Sequence, residues 1–387
     1  MKPILSVLIP TRNRANELSS LLEIIEKYQV TDVEFIVSDN SDVDLKYRDI
    51  PSVRYIRPNK VLNMTDNWNW LLIHAQGKFI TYLGDDDAFI PSNLTRLIEY
   101  ARNCTSDIIW TTHSGYGWPL EGNHGNFFLI YYNKPKPISM EKIRTKILKL
   151  DHKTDLPTPY CRVIFNRNII ESFWKANPEA KFCSSRIPDI SAAVKLAFLS
   201  KSQCSFNRVV FISGASKSSN GRISQSGKDI SGKFQFDNLI FNPIDAGVLA
   251  ELTIAPPFGY ITWLEAFDSS ITQLDLISKS PRWLIAFKTV LYSSNVKKQI
   301  KISYSIWGNA PLLGIAFMCN KVYFTGIKKG FPRIKNWILM LGIKISKKRS
   351  VVILNGRGLD NTFSLVNYLE TNKPMESKKS VVKILVS

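Results

Sequence analysis

Cysteine is scarce in this 387-residue chain: there are five, an odd number, spread over Cys104, Cys161, Cys183, Cys204 and Cys319 with no C-x-x-C pair. That excludes a disulfide framework and a zinc knuckle, and a reducing compartment is expected. The four histidines, His74, His113, His124 and His152, show no metal-ligand spacing. Long apolar runs are missing too. The purest stretches, such as 315–319 and 337–341, fall far short of the roughly 20 residues that span a bilayer, so no transmembrane helix is expected. The run Ile4 to Ile9 is too short for the core of an export signal and reads as a strand. No G-x-G-x-x-G and no Walker A sequence follows any strand-like run, which argues against a dinucleotide cofactor and a P-loop NTPase.

Acid is scarce in one region. Residues 281–387 hold 19 Lys and Arg against Asp360, Glu370 and Glu376, a surplus of 16 out of the formal +19 of the whole chain. The protein is therefore a nearly neutral body with a basic end, and such an end seeks phospholipid, nucleic acid or an acidic polymer. Hydrophobic residues make up 44% and charged residues 21%, which excludes bulk disorder and supplies a real core. At about 150 residues per domain, the length suits two units.

The first hundred residues alternate in type. Short apolar runs at Ile4–Ile9, Val33–Val37, Val53–Ile56 and Lys78–Leu83 read as strands, while Asn16–Tyr28 and Thr65–Gln76 carry apolar residues at helical spacing. This pattern predicts a parallel, doubly wound α/β sheet with ligands at the carboxyl ends of its strands. Three of those ends run into polar loops: Pro10-Thr11-Arg12-Asn13-Arg14, Ser38-Asp39-Asn40-Ser41-Asp42 and Gly84-Asp85-Asp86-Asp87.

Three consecutive aspartates repel one another unless solvated or sharing a cation. One or two carboxylates together with substrate phosphates are how Mg²⁺ usually sits in nucleotide enzymes; a solvated acidic turn before the helix starting at Pro91 is the plainer alternative. Asp39 reads either as an acceptor for a nucleobase N–H or as an Asx turn closing a strand. The breaker-rich stretch Ser213–Arg222 predicts a flexible loop, with Ser216, Ser219, Asn220 and Arg222 as candidate lid or acceptor-loop residues. His113, after the strand-like 107–112, is within reach of an acceptor cleft.

Ser6-Val7-Leu8-Ile9-Pro10-Thr11-Arg12-Asn13-Arg14, Val37-Ser38-Asp39-Asn40-Ser41, Asn67-Trp68-Asn69, and Gly77-Lys78-Phe79-Ile80 leading to Leu83-Gly84-Asp85-Asp86-Asp87 together resemble the family 2 glycosyltransferases of GT-A fold. The resemblance is dense over residues 4–100, thinner to about 235 and absent beyond. It implies a nucleotide-sugar donor, with a UDP-sugar favoured, on a site formed by Pro10, Thr11, Arg12, Arg14, Asp39, Asn67 and Asp85. It also implies Mn²⁺ or Mg²⁺ on the donor diphosphate, held by Asp86 and Asp87 with Asp86 foremost. Where many relatives read D-x-D-D, this chain has Gly84 in place of the first acid.

Inverting members of that family need a general base about a hundred residues past the metal motif, and Arg186-Ile187-Pro188-Asp189-Ile190 matches. Asp189 is therefore the expected base; read without the resemblance, it is a helix-start acid favoured by the macrodipole after Pro188. The reading that results is an inverting glycosyltransferase for polysaccharide biosynthesis, with a catalytic domain over 1–235 and a mainly helical, basic region over 236–387. The expected acceptor is a glycan or polyprenyl-linked hydroxyl. A nucleotidyltransferase is the rival, but its first loop is usually glycine-rich and this one has no glycine. In the tail, Trp337–Leu341 between Lys335 and Lys344–Arg349 looks like an interfacial helix and not a base-stacking groove. That predicts a cytoplasmic enzyme docked on the anionic inner face of the plasma membrane, with no nucleic-acid partner.

Overall fold

The computed structural model describes residues 2–219 except 45, 46, 48, 113, 120–125, 133–138, 150, 152, 153, 186 and 218, together with 266–276 (268 apart), 349–356, 360–372 and 383–386. The chain opens β1 (Leu5–Thr11), α1 (Ala15–Tyr28), β2 (Val33–Asp39), β3 (Val53–Ile56), α2 (Met64–His74) and β4 (Phe79–Tyr82). It continues with β5 (Ala88–Phe89), α3 (Pro91–Arg102), β6 (Ile108–Thr112), β7 (Ser114–Gly117), β8 (Asn126–Tyr132) and α4 (Met140–Leu148). Then follow β9 (Val163–Asn166), α5 (Asn168–Ala176), α6 (Pro188–Leu199), β10 (Gln203–Val209) and β11 (Phe211–Ala215). Near the C-terminus stand β12 (Arg349–Gly356), α7 (Thr362–Asn372) and β13 (Lys383–Val386).

The main sheet has seven strands in the order β10-β6-β9-β4-β1-β2-β3. Only β9 runs antiparallel to its neighbours; the other pairs are parallel. This is the α/β class expected. β1 lies centrally and is apolar on both faces because both are covered. Val7 and Ile9 join one core with α1 and α3, while Leu8, one residue out of phase, joins the other with α2, α4, α5 and α6. Helix starts follow local chemistry. The Asn63 side chain accepts from the Asp66 N–H to cap α2, and prolines open α3 and α6.

A second sheet, β13-β12-β8-β7-β11-β5, crosses the site end of the first through two short links: β5 begins directly after Asp87, and β11 pairs with it antiparallel. The region beyond 236, expected as mainly helical, contributes strands β12 and β13 as well as α7 among its described residues. The β-branched run Val351-Val352-Ile353 suits an extended backbone. α7 packs on α1: Asn367 Oδ1 accepts from Lys27 Nζ at 2.7 Å and from Tyr28 Oη at 2.8 Å, and Leu365, Val366 and Leu369 enter the core. The expected boundary near 235 and, in the basic stretch, Trp337–Leu341 and residues 344–348 lie outside the described residues, while Arg349 opens β12. No described helix is long and apolar enough to cross a membrane.

Candidate active site

The three polar loops meet where the parallel strands end. Thr11 and Asp39 are register partners at the ends of β1 and β2, and the loop after β4 comes up beside them: Thr11 Oγ1 donates to Asp85 Oδ2 at 2.7 Å. Arg14, at the foot of α1, supplies the positive charge. Its Nη1 lies 2.6 Å from Asp85 Oδ1 and its Nη2 2.7 Å from Asp86 Oδ2, so one planar guanidinium bridges two buried carboxylates. Burial opposes the arginine's charge, but Asp85 and Asp86 outweigh it and hold the group above its ordinary pKa.

The three aspartates, alike in sequence, divide into two kinds. Asp85 and Asp86 face Arg14. Asp87, expected beside Asp86 as a metal ligand, instead spends its oxygens on the fold: Oδ2 accepts from the Gly84 N–H at 2.5 Å and the Cys161 thiol at 3.2 Å, and Oδ1 accepts from the Gly214 N–H at 2.6 Å. The Tyr160 hydroxyl donates to it as well. Asp87 is thus the rivet between β4, β11 and the turn at Cys161. Burial and the neighbouring Asp86 push its carboxyl up; burial pushes Asp85 up too, with Arg14 working against it.

Gly214 shows how close that joint is. A Cβ there would stand 1.8 Å from the Asp86 carbonyl oxygen, an impossible approach. We expect Gly214→Ala to force β11 off the aspartate loop and to cost about 1–3 kcal/mol or more, as overpacking does. A lowered melting temperature would show it; an unchanged one would contradict the joint.

Asp39 forms the Asx turn of the second sequence reading and an ion pair besides. Oδ1 accepts from the Ser41 N–H at 3.0 Å, an Asx turn, while Oδ2 takes the Arg57 guanidinium at 2.9 Å. Arg57 was not singled out in the sequence, although its place just past β3 on the ligand edge was a signal. It also donates to the Ser41 carbonyl at 2.7 Å, and beside it Tyr47 stacks on Tyr55 at 5.2 Å between centroids. Half-buried Pro10 closes β1, and Arg12 turns to Asp42 at 2.9 Å. Asn67 is buried, and its amide oxygen accepts from Ser38 Oγ at 2.6 Å, so any influence it has on a donor passes through the β2 loop. Ser216 is not a free lid residue. It is buried, its Oγ accepts from Arg14 at 2.7 Å, and its N–H donates to Asp86 Oδ2 at 3.1 Å. Ser219 is buried nearby; Asn220, Arg222 and His113 lie outside the described residues.

Asp189 stands in the first turn of α6, half-buried, with its carboxylate accepting from the Asp189 and Ile190 N–H groups. Burial pushes it up to about 6 against those bonds. Both Cys161, which touches Asp87, and Cys183 feel its charge, so the base candidate and the aspartate loop share one neighbourhood.

Among the described residues, no three His, Cys, Asp or Glu side chains are grouped to hold a metal ion. Two carboxylates suffice when phosphates complete the shell, and Asp85 and Asp86 offer that pair. Among the described residues, Asp85 Oδ1 is buried without a hydrogen-bond donor in line, and the Arg14 charge compensates it. Oxygen donors of this kind suit Mg²⁺ or Mn²⁺, so the residues fit such an ion.

The mostly parallel sheet thus gathers Asp39, the Asp85–Asp86 pair and half-buried Asp189 at one end, the edge at which α/β enzymes bind their ligands. Residues 6–171 match the family model described as glycosyl transferase family 2. A stretch of 107 residues is 35% identical to the GalNAc(5)-diNAcBac-PP-undecaprenol beta-1,3-glucosyltransferase of Campylobacter jejuni, covering 26% of this chain and only 35% of that protein. Among solved structures, S. aureus TarS 1–349 with UDP-GlcNAc aligns at TM-score 0.44 and 14% identity over 84% of this chain and 92% of that one. The mannosyltransferase PcManGT of Pyrobaculum calidifontis with GDP-Man and Mn²⁺ aligns at TM-score 0.36 and 12% identity over 98% and 89%. A longer TarS chain is covered over 55% of its length.

Proposed function

We propose that the protein is an inverting glycosyltransferase that moves a hexose from a UDP-sugar to a hydroxyl of a lipid-linked glycan. The observation that carries this is the Arg14 bridge between Asp85 and Asp86 at the end of β4, in the same neighbourhood as Asp189. At the base end, Asp39 Oδ2 and Arg57 Nη1 set an acceptor beside a donor, which complements the adjacent N–H and C=O of uracil. Arg14 is placed to give up its aspartates and take the diphosphate. A bound Mn²⁺ or Mg²⁺, held by Asp86 and Asp85, would neutralise charge growing on the leaving diphosphate. Asp189 accepts the proton of the attacking hydroxyl; transfer concerted with attack makes a carboxylate adequate, geometry counting for more than pKa.

The glucosyltransferase relative is named for an undecaprenol-linked substrate, which supports a lipid-linked acceptor. The surplus of 16 positive charges over 281–387 supports docking on an anionic cytoplasmic membrane face, since each Lys or Arg near such a surface contributes about 1 kcal/mol. The test is a panel of UDP-, GDP- and dTDP-sugars with Mn²⁺, followed by release of nucleoside diphosphate. Hydrolysis confined to one or two UDP-sugars is expected. A dead panel with response to nucleoside triphosphates would instead identify a nucleotidyltransferase.

A further inference from the structure

α6 is buried almost all round, and seven of its eight residues from Ile190 to Ala197 are small or apolar. The eighth is Lys195, fully buried. A helix packed among apolar side chains gains nothing from an ammonium, which must be compensated group by group. Here it is. Lys195 Nζ donates to the Phe182 carbonyl at 2.8 Å and to Ser184 Oγ at 2.7 Å, and it lies 5.8 and 5.9 Å from the ring centroids of Phe173 and Phe182. Ring faces attract a cation and give a neutral side chain of the same length no such advantage.

All these partners lie on α5 or on the segment between α5 and α6, and that segment leads into Asp189. Side chains on a helix lean toward its N-terminus, so a long lysine in mid-helix reaches back past the first turn to the chain that enters it. The same segment is gripped from the opposite side by α2. Lys181 Nζ meets Asp66 Oδ1 at 2.6 Å, Asn69 exchanges two hydrogen bonds with the Cys183 backbone at 2.8 and 3.0 Å, and Thr65 Oγ1 donates to the Ser185 carbonyl at 2.7 Å. Within α6, Ser191 Oγ accepts from the Ser184 N–H at 3.0 Å. Among the described residues, Asp189 itself takes its own helix-start N–H groups as partners. Its placement must therefore come from the backbone that carries it.

We propose that Lys195 is a positioning residue: by tying Phe182 and Ser184 to the middle of α6, it fixes the turn at which Asp189 faces the acceptor. Burial draws the lysine's pKa down to about 7, the mark of what a charge costs at this place. The inference rests on Asp189 being the base, and the experiment separates the two.

Two readouts test it, on the full chain. In hydrogen exchange, Lys195→Met should raise exchange in peptides spanning 181–190 and leave β1 and β4 unchanged. In hydrolysis of UDP-glucose or UDP-GlcNAc with Mn²⁺, whichever turns over faster, kcat should fall about 10-fold with KM and the UDP dissociation constant unchanged. Lys195→Arg, which keeps charge and reach, should recover part of the loss. Acting through Asp189 means non-additivity, so Lys195→Met should cost almost nothing further in an Asp189→Asn background. If Lys195→Met does not fold, Ser184→Ala, which removes one of the two acceptors, should give the same pattern at about 3-fold. Unchanged exchange at 181–190, or a full additional loss in the Asp189→Asn background, overturns the proposal. Wild-type turnover in Asp189→Asn would defeat the base reading itself, while the exchange result still decides whether Lys195 holds the segment.

Discussion

Asp189→Asn is expected to lower turnover by about 10²–10⁴ while UDP and Mn²⁺ bind as in the wild type, because on the proposed mechanism the charge removed belongs to the acceptor side of the reaction. That span corresponds to about 2.7–5.5 kcal/mol of barrier. The pH profile supplies a second check. With its pKa pushed up to about 6, Asp189 is charged and able to accept a proton above that value and is neutral below it. Wild-type kcat should therefore fall on the acid side of about pH 6, approaching tenfold per unit, and the residual activity of Asp189→Asn should lack that limb. A folded Asp189→Asn protein that no longer binds UDP would move the residue to the donor site, and a wild-type profile flat from pH 5 to 7 would remove it as the base.

The second large effect belongs to the acidic pair. Asp86→Ala should lower kcat by about 10²–10³, the usual consequence of losing one charge-stabilising element at a leaving group, and should weaken the Mn²⁺ dependence of UDP binding measured by calorimetry. Excess EDTA should reproduce the kinetic loss in the wild type. Asp87→Asn should behave differently. Its oxygens hold Gly84, Gly214, Cys161 and Tyr160, so the expected result is a lower melting temperature. Full activity of Asp86→Ala, or of the wild type in EDTA, would sink the cation role.

What could be read from the sequence was whatever repeats locally. The doubly apolar β1 run, the helical spacing of Leu18, Leu21, Leu22 and Ile25, and the polar loops at successive strand ends are set by neighbours within a few residues, and the structure has them where the pattern put them. The matched family and the α/β class followed from those loops. The division of labour among Asp85, Asp86 and Asp87 was not readable, because it is decided by Arg14, Gly214 and Ser216, up to 130 residues distant along the chain. Arg57 and Lys195 were missed for a related reason. A lone arginine after a strand and a lone lysine in a helix look like solvated charges until the fold shows what surrounds them. Ser216 sat in a stretch composed like a loose loop, and two hydrogen bonds into the site hold it fast.

The seat of α7 has a consequence for anyone who would trim this protein. Leu365, Val366 and Leu369 are inserted in the same core as β1 and α1, and Glu370 Oε1 receives the Ser92 N–H at the start of α3 at 2.9 Å. At about 1.5–3 kcal/mol per buried aliphatic side chain, those three contribute on the order of 5–9 kcal/mol as an upper figure, comparable with the whole net stability of an ordinary domain. Cutting after residue 235 would therefore not release a finished catalytic half. It would leave an open apolar socket in the core shared with β1 and α1, and the severed fragment would be sticky and short-lived however complete its motifs.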